Sequence, residues 1–389
     1  MAPLPGPAAP RAPLHPGRHG ASCAPGQGRA MTGFFRIFMA GVSIASMLFT
    51  LAAGTMGALM ALALGLPLPW LLGSLLAVGG LAAGGRSRLP GPPLAMPPRL
   101  RFLFVPVIGG ASGGGFTPEL MAEAPRWWVT LGALCLFIPL AHLTSYLIFL
   151  RAGGIDRVTA FYAAMPGGLM ESLQLGEEAG ADIQYLTMLQ FLRLTLCIAL
   201  VPIGFTLATG EVGGSAAGGR MAGAEAPRGP GDALVLLAAA AGGFRAGRWL
   251  RLPAAIIVGP MLASAAAHIA GLTAAAPPGW LIDLTQLVVG TSLGARFAGL
   301  SRGRLGRAMG LSFMATGTML AMAWGAALLL HIPAGERPET VFLAFAPGGV
   351  AEMTLIALSL QTSAVYVTAH HVLRILIAVV TAQLAFRRR

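Results

Sequence analysis

The chain has 389 residues, 56% of them hydrophobic and 10% charged, with a mean hydropathy of +0.74 and a formal net charge of +12. That is more apolar surface than a soluble domain can bury, so the composition excludes a soluble fold and points to an all-α, polytopic helical membrane protein. All 26 basic residues are arginines, set in short clusters between apolar runs or at the ends. This is the positive-inside pattern, and no helix-turn-helix, zinc finger or basic zipper accompanies it, so direct nucleic-acid binding is set aside.

In chain order, residues 1–33 alternate Pro, Ala, Gly and Arg up to about Met31 without the apolar core of a signal peptide. They read as a disordered cytoplasmic tail, or as an extension ahead of a start at Met31. A first membrane repeat covers residues 34–208. It holds apolar runs from Ile37 to Leu66 and from Trp70 to Gly85, then Arg86, Arg88 and a proline-rich connector with Arg99 and Arg101. A short Gly-laden run, Phe102 to Phe116, and a longer one, Trp127 to Leu150, precede a final span from Ile183 to Thr206.

A Gly/Ala-rich linker over 209–231 leads into a second repeat, 232–386, and a basic end, 387–389. The second repeat has runs from Ala254 to Gly271, Trp280 to Leu300, Ala308 to Leu330 and Ala364 to Phe386. Several of these runs are long enough to cross a bilayer. Cys23, Cys135 and Cys197 form no metal-like pair and read as small hydrophobes.

The division into two repeats rests on identities at one offset. Met165-Pro166-Gly167-Gly168, followed by Glu171, returns 181 positions later as Ala346-Pro347-Gly348-Gly349, followed by Glu352. At the same offset Tyr185 falls on Tyr366, Arg193 on Arg374, and Gly109, Gly113 and Phe116 on Gly290, Gly294 and Phe297. This is the signature of an internal duplication. The arginine clusters follow different loops in the two copies, which implies opposite orientations in the membrane. Opposite orientation needs an odd number of crossings per copy. The expectation is five spans each, inverted repeats and cytoplasmic termini. The Pro-Gly-Gly segment would be either a re-entrant dip or a broken crossing helix. Parallel repeats with even spans are the alternative.

Each copy thus sets a helix break, an acid and an arginine among apolar residues, a combination that marks a functional site in membrane proteins. The expected substrate-binding set is Pro166, Gly167, Gly168, Glu171 and Arg193 with Pro347, Gly348, Gly349, Glu352 and Arg374. Restarting helices would aim their positive ends at an anionic solute. Arg193 and Arg374 would contact it, with Glu171 and Glu352 as their local partners. The same residues also read as two ion pairs that pin each hairpin. Gln190 aligns with His371, and with His370 beside it these three suggest a proton path. His142, His268, His331, His370 and His371 lack metal-ligand spacing, so no metal, cofactor or enzymatic chemistry is expected.

At Pro-Gly-Gly-x-x-Glu with the downstream arginines, the chain resembles the AbrB-type duplicated inner-membrane proteins, also labelled ammonia monooxygenases. The resemblance covers about residues 40–386. It implies a multi-pass protein of the bacterial inner membrane and a label of regulator of gene expression. The name is shared with an unrelated soluble DNA-binding protein, whose fold this composition excludes. Transport of a small solute is the first reading, a membrane component that influences gene expression the second, and a monooxygenase the third. The partners expected are the bilayer, the solute and, because Gly-rich runs allow close helix packing, a homo-oligomer.

Overall fold

A computed structural model of the chain describes residues 41–84, 91–116, 122–209, 229–298 and 302–386, with Met39 and Leu300. The expected tail, the basic end and residues 210–228 of the linker lie outside the described residues. The regular elements are all helices: α1 (Ile44–Ala63), α2 (Pro69–Ala83), α3 (Leu100–Gly113), α4 (Trp128–Leu147), α5 (Arg157–Ala164), α6 (Leu169–Glu178) and α7 (Ile183–Thr209), then α8 (Pro230–Trp249), α9 (Ala255–Ile269), α10 (Gly279–Ala295), α11 (Arg302–Ala334), α12 (Pro338–Phe345), α13 (Val350–Ser359) and α14 (Ala364–Phe386). A 3-10 turn before α4 and a π turn after it extend that helix to Ala124–Ala152. α7 runs to Thr209 and α8 starts at Pro230.

Five helices among the described residues are long and apolar enough to cross a membrane: α1, the extended α4, and most of α7, α11 and α14. The expected ten crossings are therefore met only in part. α2, α3 and α9 are apolar but have 14 or 15 residues, about 21–23 Å at 1.5 Å per residue. That is short of the ~30 Å hydrocarbon core. α8 has the length, but Asp232, Arg245 and Arg248 interrupt its apolar face.

The first three runs of each half interlock into one unit: α1 packs on α2 and α8 on α9, while α2 pairs with α10 and α3 with α9. Missing side chains make these contacts possible. A Cβ on Gly290 would lie 2.4 Å from the Leu71 carbonyl oxygen, and one on Gly294 would lie 2.9 Å from that of Leu75. Gly109 and Gly113 stand in the same relation to the Ile257 and Met261 carbonyls, at 2.3 and 2.5 Å. Partner numbers rise together in both pairs, so α2 runs parallel to α10 and α3 parallel to α9.

The loop after α9 settles a third direction. His268 Nε2 meets the Ala275 carbonyl at 3.2 Å, and α10 begins at Gly279. Four residues reach at most about 14 Å, so α10 starts beside the end of α9. Because it packs along α3, it must run back, and α2 and α9 run in opposite directions.

Overpacking tests these contacts. At Gly57 an added Cβ would sit 2.2 Å from the Ala77 Cβ and 2.4 Å from the Gly73 oxygen, whereas nothing lies within 4 Å of one at Gly242. Gly57→Ala is expected to destabilise the detergent-solubilised protein by about 1–3 kcal/mol. Gly242→Ala is expected to leave its melting temperature unchanged or raise it slightly.

The remaining helices, α4–α7 and α11–α14, form a second unit that meets the first where α3 touches α13 and α14, and where α2 touches α7. Here each Pro-Gly-Gly segment is the turn of a short helical hairpin, or dip. The Asp182 amide donates to Thr159 Oγ1 at 2.8 Å, Gln190 Nε2 to the Tyr162 carbonyl at 3.0 Å, and Arg193 to the Met165 carbonyl. Partners advance together along α5 and α7, so these two run the same way and α6 between them returns. The second dip follows suit. Arg337 reaches the Gln361 carbonyl at 2.7 Å, His371 Nε2 that of Leu343 at 2.9 Å, and Arg374 that of Ala346. With eight residues, α5 and α12 descend about 12 Å.

Candidate functional site

Proline ends each descending helix because it cannot donate to the ladder, and the glycines let the chain reverse. Gly167 and Gly168 take φ values of +153° and +65°, regions closed to most side chains. Gly349 is extended instead, at φ −77°, and a Cβ there would meet Glu352 Oε2 at 2.0 Å. Glycine is thus required at the first turn for backbone shape and at the second for room. α6 and α13 restart directly after these turns, with Glu171 and Glu352 in their first turns, where the helix N-terminus favours a carboxylate.

The two arginines arrive from the long helices behind. Arg193 is 7% exposed and Arg374 2%. Arg193 Nη1 donates to the Met165 carbonyl. Arg374 donates through Nη1 to the Ala346 carbonyl and through Nη2 to that of Gly348. These carbonyls lie in the turns just beyond the two descending helices, where Met165 and Ala346 also accept from the Gly167 and Gly348 amides at 3.0 and 2.9 Å, so each guanidinium braces a broken helix end. The dips also meet one another: a Cβ on Gly167 would lie 3.6 Å from Arg374 Nε.

The expected pairs of Glu171 with Arg193 and of Glu352 with Arg374 are not formed. Glu352 instead pairs with Arg101, at the start of α3, at 2.8 Å, and Glu171 is exposed. The reason is reach: each arginine is spent on main-chain carbonyls, and each glutamate folds back toward its own helix start. Among the described residues neither Arg193 nor Arg374 has a carboxylate within salt-bridge distance, and both Nε–H groups are buried without an acceptor.

Gln190 and His371 share one task. Both donate Nε2–H to a carbonyl of the descending helix, Tyr162 and Leu343 respectively. His371 also accepts from Arg374 Nη2 at Nδ1, at 2.9 Å. One nitrogen donates and the other accepts, which fits a neutral ring. His370 faces away from the guanidinium groups, toward the Tyr366 carbonyl and Thr130 Oγ1, each at 2.8 Å. Of the three residues expected on a proton path, Gln190 and His371 are thus engaged in holding the dips in place, and His370 ties α14 to α4.

Two arginines of the first unit complete the surroundings. Arg101 holds Glu352, and the Arg296 guanidinium lies 4.7 Å from the centre of the Phe191 ring, two residues before Arg193. Sequence reading placed Arg101 in the proline-rich connector and did not single out Arg296, inside the run from Trp280 to Leu300. The available signal was that each stands next to an apolar Gly-rich run rather than in a polar turn. Among the described residues no three His, Cys, Asp or Glu side chains converge as metal ligands.

At the entrance of the second dip, between α11 and α12, the Glu336 carboxyl is pushed up from its ordinary 4.5 to about 7. Partial burial is the main cause, Glu123 adds to it and Arg337 opposes it. The folded protein therefore holds this proton more tightly than the unfolded chain. Between about pH 4.5 and 7 the native state binds more protons, so this group's contribution to stability falls as pH rises and levels off above. Melting curves across that window are expected to show a shallower fall for Glu336→Gln than for the wild type.

Comparison with known proteins places this geometry in context. The family described as "Transition state regulatory protein AbrB" matches residues 78–389. The "Uncharacterized protein YhjN" of Bacillus subtilis (strain 168) is 26% identical over 290 residues, 70% of this chain and 74% of the relative. The "Putative regulator AbrB" of Escherichia coli (strain K12) is 24% identical over 314 residues, 77% of this chain and 85% of the relative. No solved structure matches the chain significantly.

Proposed function

The chain belongs to the AbrB family, and from that premise and the geometry of its two dips we propose that it is a membrane carrier for a small anionic solute. The observation that carries this reading is the pair of buried arginines, Arg193 and Arg374, with no carboxylate beside either among the described residues. A charged residue at the bilayer centre costs about 2.5–3.5 kcal/mol on insertion scales. Main-chain carbonyls satisfy some of the N–H groups but leave the net charge, and an anion between the two turns would neutralise it. Two helix starts, α6 and α13, add to the positive field there. A regulatory effect, which the Escherichia coli relative's name suggests, would then follow from solute flux rather than from contact with DNA.

Alternating access would come from two inverted copies, each with an odd number of crossings. The opposed directions of α3 and α10, which carry the corresponding Gly109 and Gly290, support inversion, and contacts that recur at the sequence offset support duplication: Gln190–Tyr162 with His371–Leu343, and Arg193–Met165 with Arg374–Ala346. Cysteines at Arg157 and Pro338, where α5 and α12 begin, should then be labelled from opposite sides of the membrane. Labelling of both from one side would favour parallel copies.

Proteoliposomes supply the functional test. A panel of labelled carboxylates and inorganic anions is expected to include at least one that accumulates saturably and also raises the melting temperature. A folded protein that neither binds nor moves any of them would remove the proposal.

A further inference from the structure

The two buried arginines end in different free edges. Arg193 spends only Nη1, on the Met165 carbonyl. Arg374 spends both terminal nitrogens, on the Ala346 and Gly348 carbonyls, with Nη2 shared with His371 Nδ1. A side-on pair, Nε and Nη2, is therefore left on Arg193, and Nε alone on Arg374. Among the described residues both Nε–H groups are buried without an acceptor. Room is left at the second of them. A Cβ on Gly167, in the opposite dip, would meet nothing beyond its own chain neighbours closer than Arg374 Nε, at 3.6 Å. An acceptor atom fits where that side chain is missing. Contacts in series, from Arg193 to the Met165 carbonyl, to the Gly167 amide and on to Arg374, keep Arg193 Nη1 within about 12 Å of Arg374 Nε. A short dicarboxylate with a hydrogen bond of ~2.9 Å at each end fits that span.

We infer that the solute is a short dicarboxylate, with one carboxylate side-on against Arg193 Nε and Nη2 and the other accepting from Arg374 Nε beside Gly167. This inference rests on the carrier reading above and narrows it. Charge around the turns points the same way. Arg101 and Arg296 stand near Arg193 and Arg374, and the acids at the turns are Glu171 and Glu352. Four arginines against two glutamates leave an excess of two positive charges. A monoanion would offset one of them and leave the other, and an uncompensated buried charge is strongly disfavoured. Each guanidinium is also pinned by carbonyls of its own dip, so the free edges are two fixed points rather than one flexible clamp. That favours a solute with its charges set apart over a compact dianion such as sulfate.

The test uses the full chain in detergent at neutral pH, with malonate, succinate and glutarate, the monomethyl ester of each, and sulfate. An ester keeps nearly the length of its parent and loses one charge. At least one dicarboxylate is expected to raise the melting temperature by several degrees. It should bind at least tenfold tighter than its ester and than sulfate. Arg193→Gln, which leaves a single guanidinium, should bring the ratio of dicarboxylate to ester close to one. Esters that bind as tightly as their parents, sulfate that binds as tightly as the best dicarboxylate, or an undiminished ratio in folded Arg193→Gln would each overturn the inference and leave an anion carrier standing. If Arg193→Gln does not fold, the wild-type ratios decide it. Failure of all these compounds to bind folded wild-type protein would overturn it as well. The carrier reading is then decided by flux of the wider anion panel.

Discussion

Arg374→Met is expected to cost far more stability than Arg193→Met, although the two positions correspond in the duplicated motif. Removing Arg374 strips the donor from the Gly348 carbonyl and from His371 Nδ1, and one of two donors from the Ala346 carbonyl, which keeps the Gly348 amide at 2.9 Å. A buried acceptor left unsatisfied costs about 1–3 kcal/mol, so a loss on the order of 3–5 kcal/mol is expected, offset in part by relief of a buried charge. Arg193→Met strips only the Met165 carbonyl, which keeps a 3.4 Å contact with Gln190 Nε2. Its cost should stay near 1 kcal/mol. Function should order the other way. Arg193 has committed one terminal nitrogen, so its Nε and Nη2 edge can still take a carboxylate in the side-on, two-bond manner. Folded Arg193→Met should show no anion-dependent shift and no flux. If Arg193→Met binds anions as the wild type does, the bound solute does not use that edge.

The second large effect is expected where the two units touch. Arg101→Gln leaves the Glu352 carboxylate, with a side chain 5% exposed, without its partner at 2.8 Å. Breaking a buried pair from one side costs about 3–5 kcal/mol. The Arg101 side chain is 23% exposed, which lowers the expectation to about 2–3 kcal/mol once solvent screening is allowed for. Combining it with Glu352→Gln should recover most of that loss, since neither charge then remains. Glu171→Gln, at the corresponding but exposed position, should change stability by less than about 0.5 kcal/mol. Chemical denaturation of the four proteins measures the coupling directly. A double variant no more stable than Arg101→Gln would mean that the pair holds nothing together.

How far the sequence could be read depended on what each residue's neighbours are. Helical membrane class followed from composition, because nothing else accounts for so much apolar surface. The turns at Pro166-Gly167-Gly168 and Pro347-Gly348-Gly349 were legible because proline and paired glycine break a helix whatever surrounds them. The partners of the charged residues were not legible. Glu352 and Arg101 are 251 positions apart, and a motif shows only local spacing. Arg374 was open to pairing with Glu352 until its donors were seen to be taken by carbonyls. The shared role of Gln190 and His371 was hidden for a related reason. An amide and an imidazole look unlike in a sequence, yet each offers one N–H at similar reach. The count of crossings was met only in part among the described residues, since apolar character alone does not tell a 15-residue helix from a span.

The interlocked glycine helices also set a timetable. α2 cannot be covered by α10 until Gly290 has been made, about 220 residues after Leu71. At ~5–20 residues per second that delay is on the order of 10–40 s. Through that interval the face of α2 that the α10 glycines will cover, with the Leu71 and Leu75 carbonyls open to close approach, stays in the bilayer without its mate. A ribosome that stops early would release a polypeptide with this face uncovered, a ready target for membrane proteases. Expressed as two separate pieces cut in the linker, the halves should therefore survive in cells only when both are produced together.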